Sequence, residues 1–337
     1  LTVPHVYPDP RGEPSLKQEI AAHLALARGV KCDPSQIFIT AGFSGGLGVA
    51  LGVLGMAGRR AWVENPGFPS SRKALQLAQL EPVPVPVDDE GMDVSRAVEM
   101  APDAALALVT PGQQAPTGAV LSLARRVQLI EWAAGANAWI IEDDYLGDLQ
   151  LRRRAAPALA SLDSGSRVIH IGSFSKTISP SLRIGFIVAP RALADRFAET
   201  IACLAPAPDA VVQLAVADFM REGHYMRHLR QMKRIYAARS NAIYSILQSK
   251  KCVVQSAGLA ILLRLPDGLS DVEIAKEARM LDLAPAPLSP WFVPSSGNAF
   301  NGLLLGVATA VDDQISGACD RLYEVIQTRS SQKMPAR

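Results

Sequence analysis

Six short apolar runs recur through the first two thirds of this chain, at residues 37–40, 61–64, 105–109, 138–141, 168–171 and 184–188. Stretches with apolar residues at helical spacing lie between them, 14–27 and 121–134 being the clearest. Apolar strands alternating with amphipathic helices leave few folds open, because both faces of the strands must be covered; the pattern predicts an α/β domain around a mostly parallel central sheet. After Pro206 and Pro208 it changes to one long helical stretch, about 210–247, and then to shorter runs at 257–265 and 303–308 with helices over 271–281 and 311–328. The expected organisation is a large domain over 1–205, then a connector helix and a smaller C-terminal α+β domain over 206–337. Residues 285–301, rich in Pro, Ser and Gly, predict a loop that borders a site.

Composition narrows the partners. Thirty-four basic against 32 acidic residues give a formal charge of +2, and without a Lys/Arg stripe this stretch is not itself expected to read nucleic acid. The four cysteines, Cys32, Cys203, Cys252 and Cys319, form no CxxC pair, so neither a zinc site nor a disulfide framework is predicted and a reducing cytoplasm fits. No apolar run approaches the roughly 18 residues of a membrane span. His224 and His228 sit four apart on the long helix without a third ligand, and Arg227, Arg230, Lys233 and Arg234 are expected either to continue the same solvated face or to form part of a subunit or domain contact. The run from Gly42 to Gly48 lacks the G-x-G-x-x-G order of a dinucleotide loop.

Ligands of open parallel sheets bind beyond the carboxyl ends of the strands, and the unusual residues gather there. Run 37–40 leads into Gly42-Phe43-Ser44, run 61–64 into Asn65-Pro66-Gly67-Phe68, and run 105–109 into Thr110-Pro111-Gly112-Gln113-Gln114-Ala115-Pro116-Thr117-Gly118. Run 138–141 leads into Glu142-Asp143-Asp144-Tyr145, and run 168–171 into Gly172-Ser173-Phe174-Ser175-Lys176. Lys176, just past an apolar strand, is expected to be partly buried, which lowers an amine's pKa and frees the lone pair that attacks an aldehyde. Arg183, seven residues on, can grip a phosphate with two hydrogen bonds, with Ser173 and Ser175 as hydroxyl donors. The amides after Gly42, at Phe43 and Ser44, open a helix and add dipole-aligned donors. One of the paired aspartates, Asp143 and Asp144, is expected to point into the crevice, where a carboxylate can keep a pyridine nitrogen protonated; Tyr145 can bond a phenolic oxygen, and Phe68 can stack on a ring.

As a set, Ser173-Phe174-Ser175-Lys176, Arg183, Asp143, Tyr145 and Pro116-Thr117-Gly118 resemble the fold-type I aminotransferases, which use pyridoxal 5′-phosphate (PLP). Tyr7-Pro8-Asp9-Pro10-Arg11-Gly12, Val63-Glu64-Asn65-Pro66-Gly67-Phe68, Leu121-Ser122-Leu123-Ala124-Arg125-Arg126 and Ile141-Glu142-Asp143-Asp144-Tyr145 are similar to the PLP-binding domain of MocR-type regulators in the GntR superfamily. The likeness covers almost the whole chain. It implies that Lys176 forms the Schiff base with the cofactor, Asp143 meets the pyridine nitrogen and Tyr145 the phenolic oxygen. It further implies that Ser173 and Arg183 hold the phosphate and that Tyr7 reaches the phosphate of the other subunit in a homodimer. In such regulators a winged-helix DNA-binding domain precedes this one, and the absence of an initiator Met before Leu1-Thr2-Val3 accords with an upstream segment.

Three departures from the pattern bear on turnover. Ala115 stands where relatives have an aromatic residue or Asn, and Gln113 where they often have His. Apolar residues fill Leu303-Leu304-Leu305, where the aminotransferase arginine for the substrate carboxylate is expected at about Leu304. Ser70 and Phe43 occupy variable positions. Two functions are therefore expected to compete: an effector-sensing domain that takes an amino compound as an external aldimine, and an autonomous aminotransferase acting on an amino acid and a 2-oxo acid.

Overall fold

In the computed structural model, which describes residues 7–151, 156–164, 166–293 and 299–333, helix α1 (Pro14–Ala27) starts on a proline whose missing N–H costs nothing at a helix N-terminus. It buries Leu16, Ile20 and Leu24, spaced four apart on one face. Strand β1 (Ile37–Thr40), wholly buried, runs into α2 (Gly42–Leu54). The chain continues through β2 (Arg60–Asn65), α3 (Pro69–Leu77), β3 (Glu81–Asp88), β4 (Gly91–Met92), α4 (Val94–Met100), β5 (Leu106–Val109) and α5 (Leu123–Gly135). Next come β6 (Trp139–Asp144), β7 (Val168–Ser173), β8 (Gly185–Val188), α6 (Ala194–Leu204), α7 (Ala210–Arg221) and α8 (His224–Ser249).

These strands make one eight-stranded sheet in the order β1-β8-β7-β6-β5-β2-β3-β4. The central pairs β2·β5, β5·β6 and β6·β7 are parallel; β8 turns back antiparallel to β7 and β1. All six apolar runs of the sequence are strands. β3 is an addition, masked in the sequence by Pro82, Pro84 and Pro86. Prolines at alternate positions remove N–H donors from one edge only, so the valines between them keep theirs for the other. The expected single helix over 210–247 is two, because Gly223 adopts φ +74° between α7 and α8, a conformation open to glycine that ends a helix.

The chain divides into two compact units. The first comprises Leu1–Glu64, Ser70–Gln114 and Ala119–Arg230; the second comprises Asn65–Pro69, Ala115–Gly118 and Gln231–Arg337. In the first, Ile141, Ile169, Ile171 and Ile187 pack with Leu47 and Leu51 of α2 on one face of the sheet. On the other, Trp62, Ile140 and Val168 pack with Leu129 and Ala133 of α5.

The second unit holds an antiparallel sheet of β9 (Val253–Ala257), β10 (Ala260–Arg264), β11 (Ala286–Pro287) and β12 (Gly302–Gly306), ordered β11-β12-β10-β9, with α9 (Asp271–Arg279) and α10 (Ile315–Lys333). Leu263, Leu303, Ile274, Ala278, Leu322 and Ile326 form its core. Gly118 in the second unit has φ +80°, and a Cβ there would lie 2.9 Å from Ala257 Cα, so only glycine fits. Of the expected loop at 285–301, residues 294–298 lie outside the described residues. Among the described residues no helix is long and apolar enough to cross a membrane.

Candidate functional site

Within the first unit the strand ends bring together most of the residues singled out from the sequence. Strand β6 runs on through Asp143 and Asp144, paired with Ile171 and Gly172 of β7. Side chains alternate across a strand, so Ile141 and Asp143 share one face while Glu142 and Asp144 take the other. Asp143 is buried, and its Oδ1 has no hydrogen-bond partner. Burial first, then the carboxylates of Asp144, Glu64 and Glu142, push its carboxyl well above the usual range, against a single backbone N–H from Tyr145. Tyr145 follows at the rim, partly buried, its phenol raised by burial and by Asp143 and Glu64.

At the end of β7, Ser173 Oγ accepts the Ser175 N–H at 3.1 Å and donates to Ser175 Oγ at 3.0 Å. The turn that follows points Phe174 and Thr177 inward. Lys176, between them, is therefore exposed rather than partly buried. The expected burial of this amine is thus corrected: an inward Thr177 forces its neighbour to face out. Arg183, exposed and at φ +52°, donates from Nη2 to the Ala41 carbonyl at 3.2 Å. Its guanidinium also approaches Gly42 closely enough that a Cβ there would lie 3.7 Å from Cζ. Gly42 has φ +72° and opens α2, whose N-cap residue Ala41 supplies no side-chain bond. Arginine and uncapped amides of one helix N-terminus thus meet, which is the make-up of an oxyanion cradle. Ser44 is exposed there, whereas the Phe43 ring packs against the core and offers only its amide.

Two further candidates are Phe68 and Tyr7. Phe68 belongs to the second unit, where its ring lies 5.6 Å from that of Trp291. Tyr7 is fully exposed. His224 and His228 each lie 6.0 Å from the ring of Phe219.

Several polar residues here escaped the sequence reading. Glu64, buried at the end of β2, accepts the Thr110 N–H at 3.1 Å, the Thr110 hydroxyl at 2.5 Å and the Gln114 amide at 3.4 Å. Burial raises its carboxyl to about 7 although those three bonds pull the other way. Behind Asp143, Glu142 contacts His170 Nδ1 at 2.9 Å and accepts the Leu159 and Ala160 amides. Burial opposes charge on both partners, but the ion pair prevails, holding Glu142 down and His170 up. Arg28 grips Asp144 with two bonds of 2.8 and 2.9 Å. The available signal was a titratable residue ending or interrupting an apolar strand, as Glu64 and His170 do.

The Glu64 carboxyl makes a prediction. Its value in the folded protein, about 7, lies above the ordinary 4.5. The stability this confers is complete below 4.5 and is lost as pH rises through 7, a change of about 3 kcal/mol. Glu64→Gln should flatten the pH dependence of ligand-free stability by that amount across this window. Urea denaturation at several pH values checks it, and an unchanged pH profile would refute the assignment.

Comparison with known proteins gives a consistent picture. The family described as aminotransferase class I and II matches residues 4–284. The chain is 34% identical over 88% of its length to a probable rhizopine catabolism regulatory protein, MocR, of Rhizobium meliloti, and covers 60% of that protein. It is 32% identical over 92% of its length to an uncharacterized HTH-type transcriptional regulator, YhdI, of Bacillus subtilis, covering 66% of it. The chain thus spans just under two thirds of the length of these relatives. Among solved structures it is similar to LysN, an alpha-aminoadipate aminotransferase of Thermus thermophilus complexed with N-(5′-phosphopyridoxyl)-L-leucine. That likeness has a TM-score of 0.83 and 26% identity, over 97% of this chain and 84% of that one.

Proposed function

Because the chain belongs to the aminotransferase class I and II family, we propose that it is the PLP-binding, effector-sensing part of a MocR/GntR-type transcription regulator. On this reading it works in the cytoplasm as a homodimer, responds to a small amino compound, and reaches DNA only through a winged-helix domain upstream of residue 1. The domain limits at 1–205 and 206–337 belong to the same proposal.

One observation carries the cofactor assignment: a buried carboxyl, Asp143, crowded by three other acids and with one oxygen unpartnered. A buried polar atom left without a partner is costly. A cationic ring N–H is the kind of donor that would satisfy it, so the residues present fit PLP. When bound, the cofactor supplies an aldehyde that condenses with amines and a ring nitrogen that, kept protonated, draws electron density from the reacting carbon.

Lys176 would carry the aldehyde carbon and Asp143 would hold the ring proton. Tyr145 would donate to the phenolic oxygen. Ser173, Ser175, Arg183 and the amides at Gly42, Phe43 and Ser44 would hold the phosphate, Phe68 would cover the ring, and Tyr7 would serve the partner's phosphate.

The test is direct. Protein incubated with PLP and reduced with borohydride should carry a pyridoxyl group on Lys176 by peptide mass spectrometry. A reduced protein without that modification would remove the proposal.

The paired Lys176 and Asp143 also suit an autonomous aminotransferase, and one observation weighs between the readings. Leu304, at the position where the aminotransferase resemblance implies an arginine, is buried among Leu262, Leu288 and Phe292. None of these neighbours is a cation that could pair with a substrate carboxylate, so on this reading alanine and glutamate should convert the bound cofactor to its amine form only slowly. Rapid spectral conversion by either amino acid would favour the enzyme.

A further inference from the structure

Behind the Ser173–Lys176 turn lies a cavity of about 20 Å³ whose wall includes His23, Arg28, Asp144, Asp148, Thr177 and Tyr225. That is room for a single water molecule. The polar groups around it are already linked in part. His23 Nε2 lies 2.9 and 3.0 Å from the Asp148 carboxylate oxygens, and the Tyr225 hydroxyl donates to the same carboxylate at 2.8 Å. The Tyr225 ring is held edge-on by His23 and Phe174, at 5.3 and 5.8 Å. Thr177 breaks the pattern. Its hydroxyl is buried and close enough to the Tyr225 hydroxyl to pull that phenol down against the effect of burial, but the two groups are not aligned for a full hydrogen bond, and Thr177 Oγ1 completes none.

A buried hydroxyl beside a water-sized space rimmed by a carboxylate, a phenol and a guanidinium is a combination that ordered water satisfies. We propose that this cavity is a built water site. Its water bonds Thr177 Oγ1 and completes a chain running from His23 through Asp148 and Tyr225 to Thr177. Thr177 is then a positioning residue. It fastens from behind the turn whose outer side presents Lys176, a turn otherwise closed by the Ile178 and Ser179 amides on the Phe174 carbonyl at 2.8 and 3.2 Å. The water site stands on geometry alone; its consequence for Lys176 rests on the function proposed above.

The experiment has a structural and a chemical arm. A crystal structure that resolves ordered water should place one within hydrogen-bond reach of Thr177 Oγ1, and Thr177→Val should lose it; an empty cavity in the unmodified protein overturns the proposal. Amide exchange across residues 174–179 should quicken about tenfold in Thr177→Val and return in Thr177→Ser, which keeps the hydroxyl. Formation of the borohydride-trappable PLP adduct on Lys176 should slow about tenfold in Val and recover in Ser. Equal trapping rates for wild type and Val would refute the positioning role. Tyr225→Phe, which keeps the ring and removes one anchor, should speed the same exchange if the valine variant does not fold; unaltered exchange there counts against the chain. If the wild type traps no adduct, the function falls while the water and exchange measurements still judge this site.

Discussion

Lys176→Ala is expected to abolish completely the near-visible absorbance that PLP gives with the wild-type protein, and with it all pyridoxyl label after borohydride. The lysine is exposed on its turn, so melting of the ligand-free variant should stay within about 0.5 kcal/mol of wild type. Asp143→Asn separates the covalent from the electrostatic part of the site. It keeps the amine but takes away the charge, so the label should still form while PLP affinity falls on the order of 10- to 100-fold, the worth of one charge-assisted hydrogen bond. Without ligand the same variant should be at least as stable as wild type, because it removes one of four crowded acids. Opposite signs for binding and stability at one residue are what a group held ready for a cationic ligand gives. Equal label in the alanine variant would place the reactive amine elsewhere.

How much of this was written in the chain depends on the range of the interaction. The strands were legible because a buried parallel strand must be apolar throughout, and the rim because polar residues that end such a strand face the crevice. Proximity in sequence also singled out Ser173 and Ser175, though as donors to a phosphate and not for the hydrogen bonds they make with each other. The exposure of Lys176 was not legible: whether a residue in a turn faces in or out is decided by its neighbours, here Phe174 and Thr177, which pack inward. Nor was the break at Gly223, since one glycine in a helical pattern reads as a tolerated flaw until its φ is known. The network behind the site was hidden for another reason. Arg28 and Asp144 are 116 positions apart, and no spacing rule joins an arginine at the end of one helix to an acid at the end of a strand that far along.

That pair carries the largest expected effect on stability. The side chains of Arg28 and Asp144 are 2% and 6% exposed, and Arg28 also donates to the Ala156 carbonyl. Arg28→Met keeps the aliphatic bulk and leaves Asp144 beside Glu142, with His170, 3.8 Å away, and Arg126 as cations that still act on it. Removing one partner of a buried pair costs about 3–5 kcal/mol, since the surviving charge keeps its desolvation penalty without its compensation. Burial already raises the Asp144 carboxyl, with Arg28 the main opposing influence; without Arg28 it climbs further. A carboxyl raised on folding stabilises below its ordinary value and loses that stability as pH rises through its folded value. The deficit of the variant should therefore be smallest in acid and complete near neutrality. Arg28→Met with Asp144→Leu should recover more than half of the loss, because an apolar pair of similar volume leaves no charge to compensate. Urea titrations of the two variants with wild type decide it. A loss below about 1 kcal/mol in the single variant, or a deficit that grows toward acid, would mean that Asp144 is neutral or otherwise compensated and that the strand end beside Asp143 is fastened by something other than this ion pair.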